Sequence, residues 1–460
     1  MIRQVAAIAL LTLRSASRSR LVLALASVLA VALLGLPLVV RGDGTPAGDA
    51  RVALGYALGA SVGVLGIATI WSACGLVAVE AASRRFQMTR VKPVSGLRIW
   101  MGKWLGLVAL NAALLAAACA VTCAAMLIRG RVLAPSADVA GFAASRGPAV
   151  SAIEACFPPS RLLHRPVLPT PREEAEAILA ADPSAPVGPE RAVLLRRIER
   201  EAPHREIPIA PGEEPSWHFR LGVPPGPGRP LWLRMRFVSA GFSRARVRGV
   251  CHLRATGTTN DVAVPVDDFT VNEIEIPVPA RELAGCREIE LRFRYSPDSG
   301  GGSILVQPRQ SLAILVPHGT FAGNLARAAV VQLAILSLLA AGGLALSALF
   351  SFPVAVFCAG GFVAAALLSA FATIDPLSEI QDALGVPATS AYLRVARSVV
   401  GGLTAATRPA IEPRPFDDLV RGVRVATPDM LRAIAWNGLA LPALFAAIGT
   451  AGLARRQFDA

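Results

Sequence analysis

Residues 80–105 read EAASRRFQMTRVKPVSGLRIWMGKWL, and the reading of this stretch decides the rest of the chain. It lies between two long apolar runs and carries Arg84, Arg85, Arg90, Lys92, Arg98 and Lys103. Its two lysines are the only ones in the protein. Basic residues in a short loop beside membrane spans mark the cytoplasmic side. The loop is therefore expected inside, and it sets the side of every other segment. Pro93 and Gly96 interrupt it, so a helix–break–helix is expected. Charge alone leaves two readings open: a topogenic loop that binds lipid headgroups, or a surface that docks a protein.

The apolar runs on either side are not isolated. Hydrophobic residues make up 53% of the 460 and charged residues only 17%, with a mean hydropathy of +0.52. That balance points to several membrane spans rather than a soluble chain. The net charge of +14 comes almost wholly from arginine. Much of it flanks apolar runs, where it sets topology, so nucleic-acid binding is not expected.

Outward from the loop, residues 1–20 place Ile2, Val5, Ala6, Ala9 and Leu13 at helical spacing, with Arg3, Gln4, Arg14 and Arg18 off that stripe. An amphipathic helix lying at the inner membrane surface is expected, although Ile8 and Leu11 fall outside the stripe. Residues 1–20 could also be the n-region of a signal peptide, but residues 21–40 are long enough to span and end without a small-residue cleavage site, so an uncleaved first span is expected. Residues 52–79 form the second, with Gly55, Gly59, Gly63 and Gly66 on offer for close helix approach. Residues 104–128 form the third.

Residues 129–325 contain no spanning run and are expected outside. Their first part, 129–212, is rich in Pro and Ala, with helices expected at 171–180 and 189–201. In 213–318 the period changes to two. Trp217, Phe219 and Leu221 alternate with His218 and Arg220, and Ile289, Leu291, Phe293 and Tyr295 alternate with Glu288, Glu290, Arg292 and Arg294. Runs of this kind around 231–237 and 273–276 complete the pattern of half-buried antiparallel strands, and a β-sandwich is expected. Residues 328–350, 354–373 and 431–453 form spans four to six. Between the last two, 390–403 and 416–425 read as amphipathic surface segments within an outer stretch, 374–430. The expected fold is thus a six-span helical bundle (1–128 and 326–460) with an extracytoplasmic α+β domain. Both termini are expected in the cytoplasm.

The local wording of the loop carries a family resemblance. Glu80 at the end of the second span is followed by Arg84-Arg85-Phe86, a Lys92-Pro93-Val94-Ser95 turn, and RIWMGKWLG from Arg98 to Gly106. This resembles the type-2 ABC exporter permeases, most nearly the permease subunits of systems named for maturation of multi-copper enzymes. The resemblance covers residues 1–128 and 320–460 better than the middle. In that family the loop is a coupling helix seated in a cleft of a separate ATPase subunit. The resemblance therefore assigns ATPase coupling to Glu80, Arg84, Arg85, Arg90, Lys92, Pro93, Arg98, Gly102 and Lys103. It also implies an interfacial elbow helix at the N-terminus, a homodimer or heterodimer of permeases in the cytoplasmic (inner) membrane, and contact with membrane lipids.

Other chemistry is absent from the sequence. The nearest approach to a phosphate-binding loop, Gly96 to Trp104, has its glycines one residue too far apart and Trp104 where Ser or Thr would hold magnesium. An ATPase site of its own is not expected, nor a cofactor, nor a metal centre from the five scattered histidines. Asn111, Gln332 and Asn437 inside the spans are expected to hydrogen-bond between helices. Cys251 shares a strand face with Val247 and Leu253, and Cys251–Cys286 is a candidate disulfide in an oxidising compartment, with Cys156 as another partner. Two functions stay in view: the permease subunit of an exporter, or a non-transporting membrane scaffold whose outer β-domain recruits a partner.

Overall fold

The computed structural model describes residues 2–39, 46–82, 95–133, 157–182, 188–226, 230–239, 244–256, 261–270, 272–279, 281–296, 302–371 and 414–455, with Val395 and Ser398 isolated between the last two. The expected segment 390–403 and Cys156 fall outside these residues. The chain divides into two compact units. One holds Met1–Val139, Ala152–Pro158 and Thr320–Ala460; the other holds Ala140–Ser151 and Pro159–Gly319.

The first unit is helical: α1 (Ile2–Ser17), α2 (Arg20–Val39), α3 (Pro46–Ala82), α4 (Gly96–Leu133), α7 (Phe321–Leu349), α8 (Phe352–Phe371), a short α9 (Pro415–Val420) and a last helix in three pieces. Those pieces are α10 (Thr427–Ala433), a π-helical turn (Ile434–Ala440) and α11 (Leu441–Arg455). Among the described residues four helices are long and apolar enough to cross a membrane, or five if the bent pair α1–α2 counts as one span. Where these helices cross, small residues let them approach. A Cβ on Gly343 would lie 2.6 Å from that of Ala73, and one on Gly449 would lie 2.6 Å from the Trp100 ring nitrogen. Large apolar side chains face outward instead, among them Phe357, Val31 and Leu439. Apolar bulk facing outward and small residues at the closest crossings suit helices that lie in hydrocarbon.

Two sequence expectations change here. Helix α4 starts at Gly96 and runs without a break into the third apolar run, so the second half of the basic loop is the first turns of a 38-residue helix. Ser95 O begins it, accepting from the N–H groups of Arg98 and Ile99 at 3.0 and 3.2 Å. The segment 416–425 does not lie free on a surface. Phe416 and Leu419 of α9, and Val425 after it, are buried with Leu54, Leu58 and Val331. Positive φ at Gly422 turns the chain back, and the buried Asn324 of α7 holds it. The Asn324 amide donates to Val423 O and accepts from Val425 N–H, both at 2.9 Å. Sequence periodicity saw the apolar face of this strap but not its partner.

The second unit is built on strands β1 (Arg161–His164), β2 (Ile207–Ile209), β3 (Ser216–Arg220), β4 (Leu231–Arg236), β5 (Val238–Ser239), β6 (Arg246–Ala255), β7 (Asp261–Phe269), β8 (Glu273–Val278), β9 (Glu288–Tyr295), β10 (Ile304–Val306) and β11 (Leu312–Pro317). They form two four-stranded antiparallel sheets, β1-β11-β4-β8 and β3-β9-β6-β7, and a three-stranded sheet β2-β10-β5. The alternating residues of both larger sheets enter one hydrophobic cluster. Within it Cys251 Sγ lies 3.6 Å from Met235 Sδ, and the rings of Phe237 and Phe293 stack at 5.0 Å. Two helices precede most of the strands: α5 (Pro171–Ala181), with a capping box between Thr170 and Glu173, and α6 (Pro189–Glu201). The stretch 129–212 is therefore not purely helical, since it supplies β1 and β2. The unit ends at Gly319 rather than near 325, because Thr320 caps α7 by accepting from Gly323 N–H at 3.2 Å.

Candidate functional site

The first turns of α4 are clasped by α1. Gly102 and Gly106 sit one turn apart and leave room for it. A Cβ at Gly102 would lie 2.6 Å from Ile8 and 3.1 Å from Val5 O; one at Gly106 would lie 2.7 Å from Ala9 O and from Thr12. The side of α1 turned to the protein is thus Val5, Ile8, Ala9, Thr12 and Ala16. This corrects the expected membrane-facing stripe, which had placed Val5 and Ala9 toward lipid and left Ile8 out. Arg98 Nη1 donates to Gln4 Oε1 at 3.0 Å and ties the two helices again at the loop end. The signal in the sequence was the small-x-x-x-small spacing of Gly102 and Gly106, the pattern already noted among the glycines of the second span.

Behind the clasp stands a pair of indoles. Trp100 and Trp104 stack with centroids 6.1 Å apart, and Trp104 Nε1 donates to Ser337 O of α7 at 3.1 Å. Lys103 is buried, and its Nζ donates to Leu76 O of α3 at 3.1 Å. The residues assigned to coupling therefore divide. Gly102 and Lys103 face inward and bind α4 to α1 and α3. Arg98 is partly exposed but engaged with Gln4. Glu80 lies in the last turn of α3, and Arg84, Arg85, Arg90, Lys92 and Pro93 lie outside the described residues. Deeper in the bundle Thr69 Oγ1 donates to Asn111 Oδ1 at 3.0 Å, the interhelical bond expected of that asparagine. Gln332 and Asn437 are buried as well, Asn437 within the π-helical turn.

The β unit has a concave site of its own. A cavity of about 320 Å³ opens at one end of the sheet β3-β9-β6-β7, walled by Val167 and lined by His218, Arg220, Arg254, Thr256, Glu288 and Glu290. The register explains the lining. His218 pairs with Glu290 and Glu290 with Arg254 across neighbouring strands, and Arg220 pairs with Glu288. A carboxylate column on β9 thus runs between basic columns on β3 and β6. The Arg292 side chain, donating to Glu290 at 3.0 Å, holds that carboxyl below its ordinary range, with His218 and Arg254 adding to the effect. Elsewhere in the unit Arg161 and Arg234 converge on Glu275 at 3.0 and 2.6 Å, with Arg161 also 5.4 Å above the Trp232 ring.

The pairing of Cys251 with Cys286 is not made; both are free thiols. Cys251 stands opposite Phe293 in the β6–β9 register, while Cys286 precedes the start of β9 at Glu288. Five residues of strand put the two positions on the order of 15 Å apart, beyond disulfide reach. Burial pushes the Cys251 thiol up to about 12, which makes it an inert core group at neutral pH.

Compared with protein-family models, curated proteins and solved structures, the chain matches none of them.

Proposed function

We propose that this chain is the membrane permease subunit of an ATP-driven exporter that works with a separate ATPase. In this reading six helices span the inner membrane, with α2 and α8 as spans one and five and both termini in the cytoplasm. The β unit stands outside, its two larger sheets stacked as a sandwich. The observation that carries the reading is the clasp of α1 on the first turns of α4, directly after the basic loop. A loop that passes motion from an ATPase needs a stiff exit, and Gly102, Gly106, the Arg98–Gln4 bond and buried Lys103 supply one. The loop wording supports the same reading through its family resemblance. A homodimer or heterodimer of permeases completes the working unit.

The test leaves Arg98 intact, because it holds Gln4, and reverses charge at Arg84, Arg85 and Arg90. Losing a desolvated charge partner at an interface costs about 2–5 kcal/mol. The variant is expected to insert normally and to lose co-purification with the ATPase of the neighbouring reading frame, or to uncouple its hydrolysis. Normal association and normal coupling would overturn the docking role of the loop.

A second reading, a scaffold whose outer β unit recruits a partner, is favoured by the mixed-charge cavity of about 320 Å³ on that unit. An adjacent gene without a phosphate-binding loop, together with binding of an outer protein that Arg254→Glu abolishes, would favour it over the first.

A further inference from the structure

We propose that the exposed side of α1 is a docking surface for anionic phospholipid headgroups, and that its clasp on Gly102 and Gly106 carries this contact to the start of α4. The inference deepens the permease reading by adding a regulator at the coupling end, but its test needs no ATPase.

Three observations meet on α1 and its junction with α2, where Arg18 follows the end of α1 and Arg20 opens α2. The first is charge. Arg3, Arg14, Arg18 and Arg20 are all exposed, and none has an acidic partner among the described residues. Residues 1–42 contain no Asp or Glu at all. At 100° per residue Arg3 and Arg14 project within about 20° of one another, so they form one edge rather than a scatter.

The second is the apolar flank. Leu10 and Leu11 stand on either side of that edge, and Ile2 lies beyond Leu10; all three are exposed. The apolar side chains that α1 gives to the protein are different ones. Exposed leucines beside arginines suit the boundary between acyl chains and headgroups, where the guanidinium reaches the phosphate while its stem stays apolar. A protein partner would have to supply acidic groups and an apolar floor at once; an anionic bilayer supplies both along its whole surface.

The third is geometry. Helices α1 and α2 meet at 65°, with Ser19 Oγ accepting from Val22 N–H at 3.1 Å to start α2. If α2 crosses the bilayer, α1 lies nearer its plane than its normal. The other side of α1 is in close contact with α4 at Gly102 and Gly106, so headgroup binding on one side bears on the loop exit through the other.

The experiment reconstitutes the full chain in nanodiscs of phosphatidylcholine alone, or of phosphatidylcholine mixed with phosphatidylglycerol. Amide hydrogen exchange is read at residues 2–17 and 96–106. Anionic lipid is expected to slow exchange of 2–17 by about fivefold for each arginine engaged, with a smaller slowing at 96–106. The quadruple Arg3/Arg14/Arg18/Arg20→Gln variant is expected to lose the difference, and the matching →Lys variant to keep it. Raised salt should shrink it. Equal exchange of the native chain in both lipids, or an unchanged difference in the Gln variant, overturns the proposal. Protection by inorganic phosphate in phosphatidylcholine discs would overturn the bilayer as the source. Gly102→Ala forces α1 away from α4, so 2–17 should still respond to lipid while 96–106 should not. A response at 96–106 in that variant would overturn the transmission.

Discussion

The two units differ in what they turn outward and in what lets their elements meet. In the β unit the large side chains go in: Trp217, Phe219, Phe237, Phe293 and Tyr295 are buried between strands whose charged residues point out. In the helical unit Ala73, Ala340, Ala341, Gly343, Gly449 and Gly452 let the helices close around a few large side chains such as Trp100 and Leu107, while Phe357, Val31 and Leu34 face out. Water rewards removal of apolar area, at about 25 cal/mol per Å². Hydrocarbon does not, so helices within it gain mainly from close contact and from shared hydrogen bonds. The contrast fits hydrocarbon around the helices and water around the strands.

The contrast can be broken most directly with one pair of phenylalanines. Phe293→Ala empties the centre of the stacked Phe237–Phe293–Tyr295 group, and is expected to cost about 3–5 kcal/mol, read as faster amide exchange along β9 and a lower unfolding midpoint. Phe357→Ala, at a side chain 81% exposed, is expected to change the unfolding free energy in detergent by less than about 0.5 kcal/mol. A large effect at Phe357 would mean that its face is covered by protein rather than lipid.

The next test concerns the strap. Asn324→Ala leaves Val423 O and Val425 N–H without their partner in a buried site. The expected cost is about 1–3 kcal/mol for each such group, seen as loss of protection at Val425. Unchanged exchange there would show that burial of Phe416 and Leu419 alone holds the strap.

A pair of glycines then sharpens the helical side. Gly343→Ala places a methyl 2.6 Å from the Ala73 Cβ, whereas a Cβ at Gly360 meets nothing within 4 Å. The first is expected to cost about 1–3 kcal/mol by overpacking, and the second to be neutral or slightly stabilising. Thermal melting of the purified chain separates them.

The smallest expected effect belongs to the β unit. Asp267 is held below the usual carboxylate range by the hydrogen bonds of Arg246, and Glu290 by that of Arg292. A carboxyl with a lowered folded pKa contributes stability above its unfolded value and loses it as pH falls through the folded one. The melting temperature should therefore be flat near neutrality and fall below about pH 4. Arg246→Met and Arg292→Met should each make that fall shallower.

Much of the second unit was legible in advance because strands announce themselves locally. The alternation at 217–221, 231–237 and 289–295 needs no partner to be read, and each run became a strand with its expected face inside. Cys251, Val247 and Leu253 share the core as their spacing required. The basic loop was less legible. Its charges were plain, but the bond from Lys103 Nζ to Leu76 O of α3 was not, because nothing in a list of charges says which of them the fold buries.

The sequence by itself determined the division into apolar helices and an alternating β unit, because hydrophobic period and run length are properties of neighbouring residues. Only the tertiary structure decided that α1 turns Val5, Ile8 and Thr12 to the protein, that Asn324 holds the strap, and that Cys251 and Cys286 stay apart. Each of these depends on which surfaces meet across long sequence separations. A side chain's partner is set by three-dimensional register, and the residues that permit the meeting, such as Gly102 and Gly106, carry almost no chemical signal of their own.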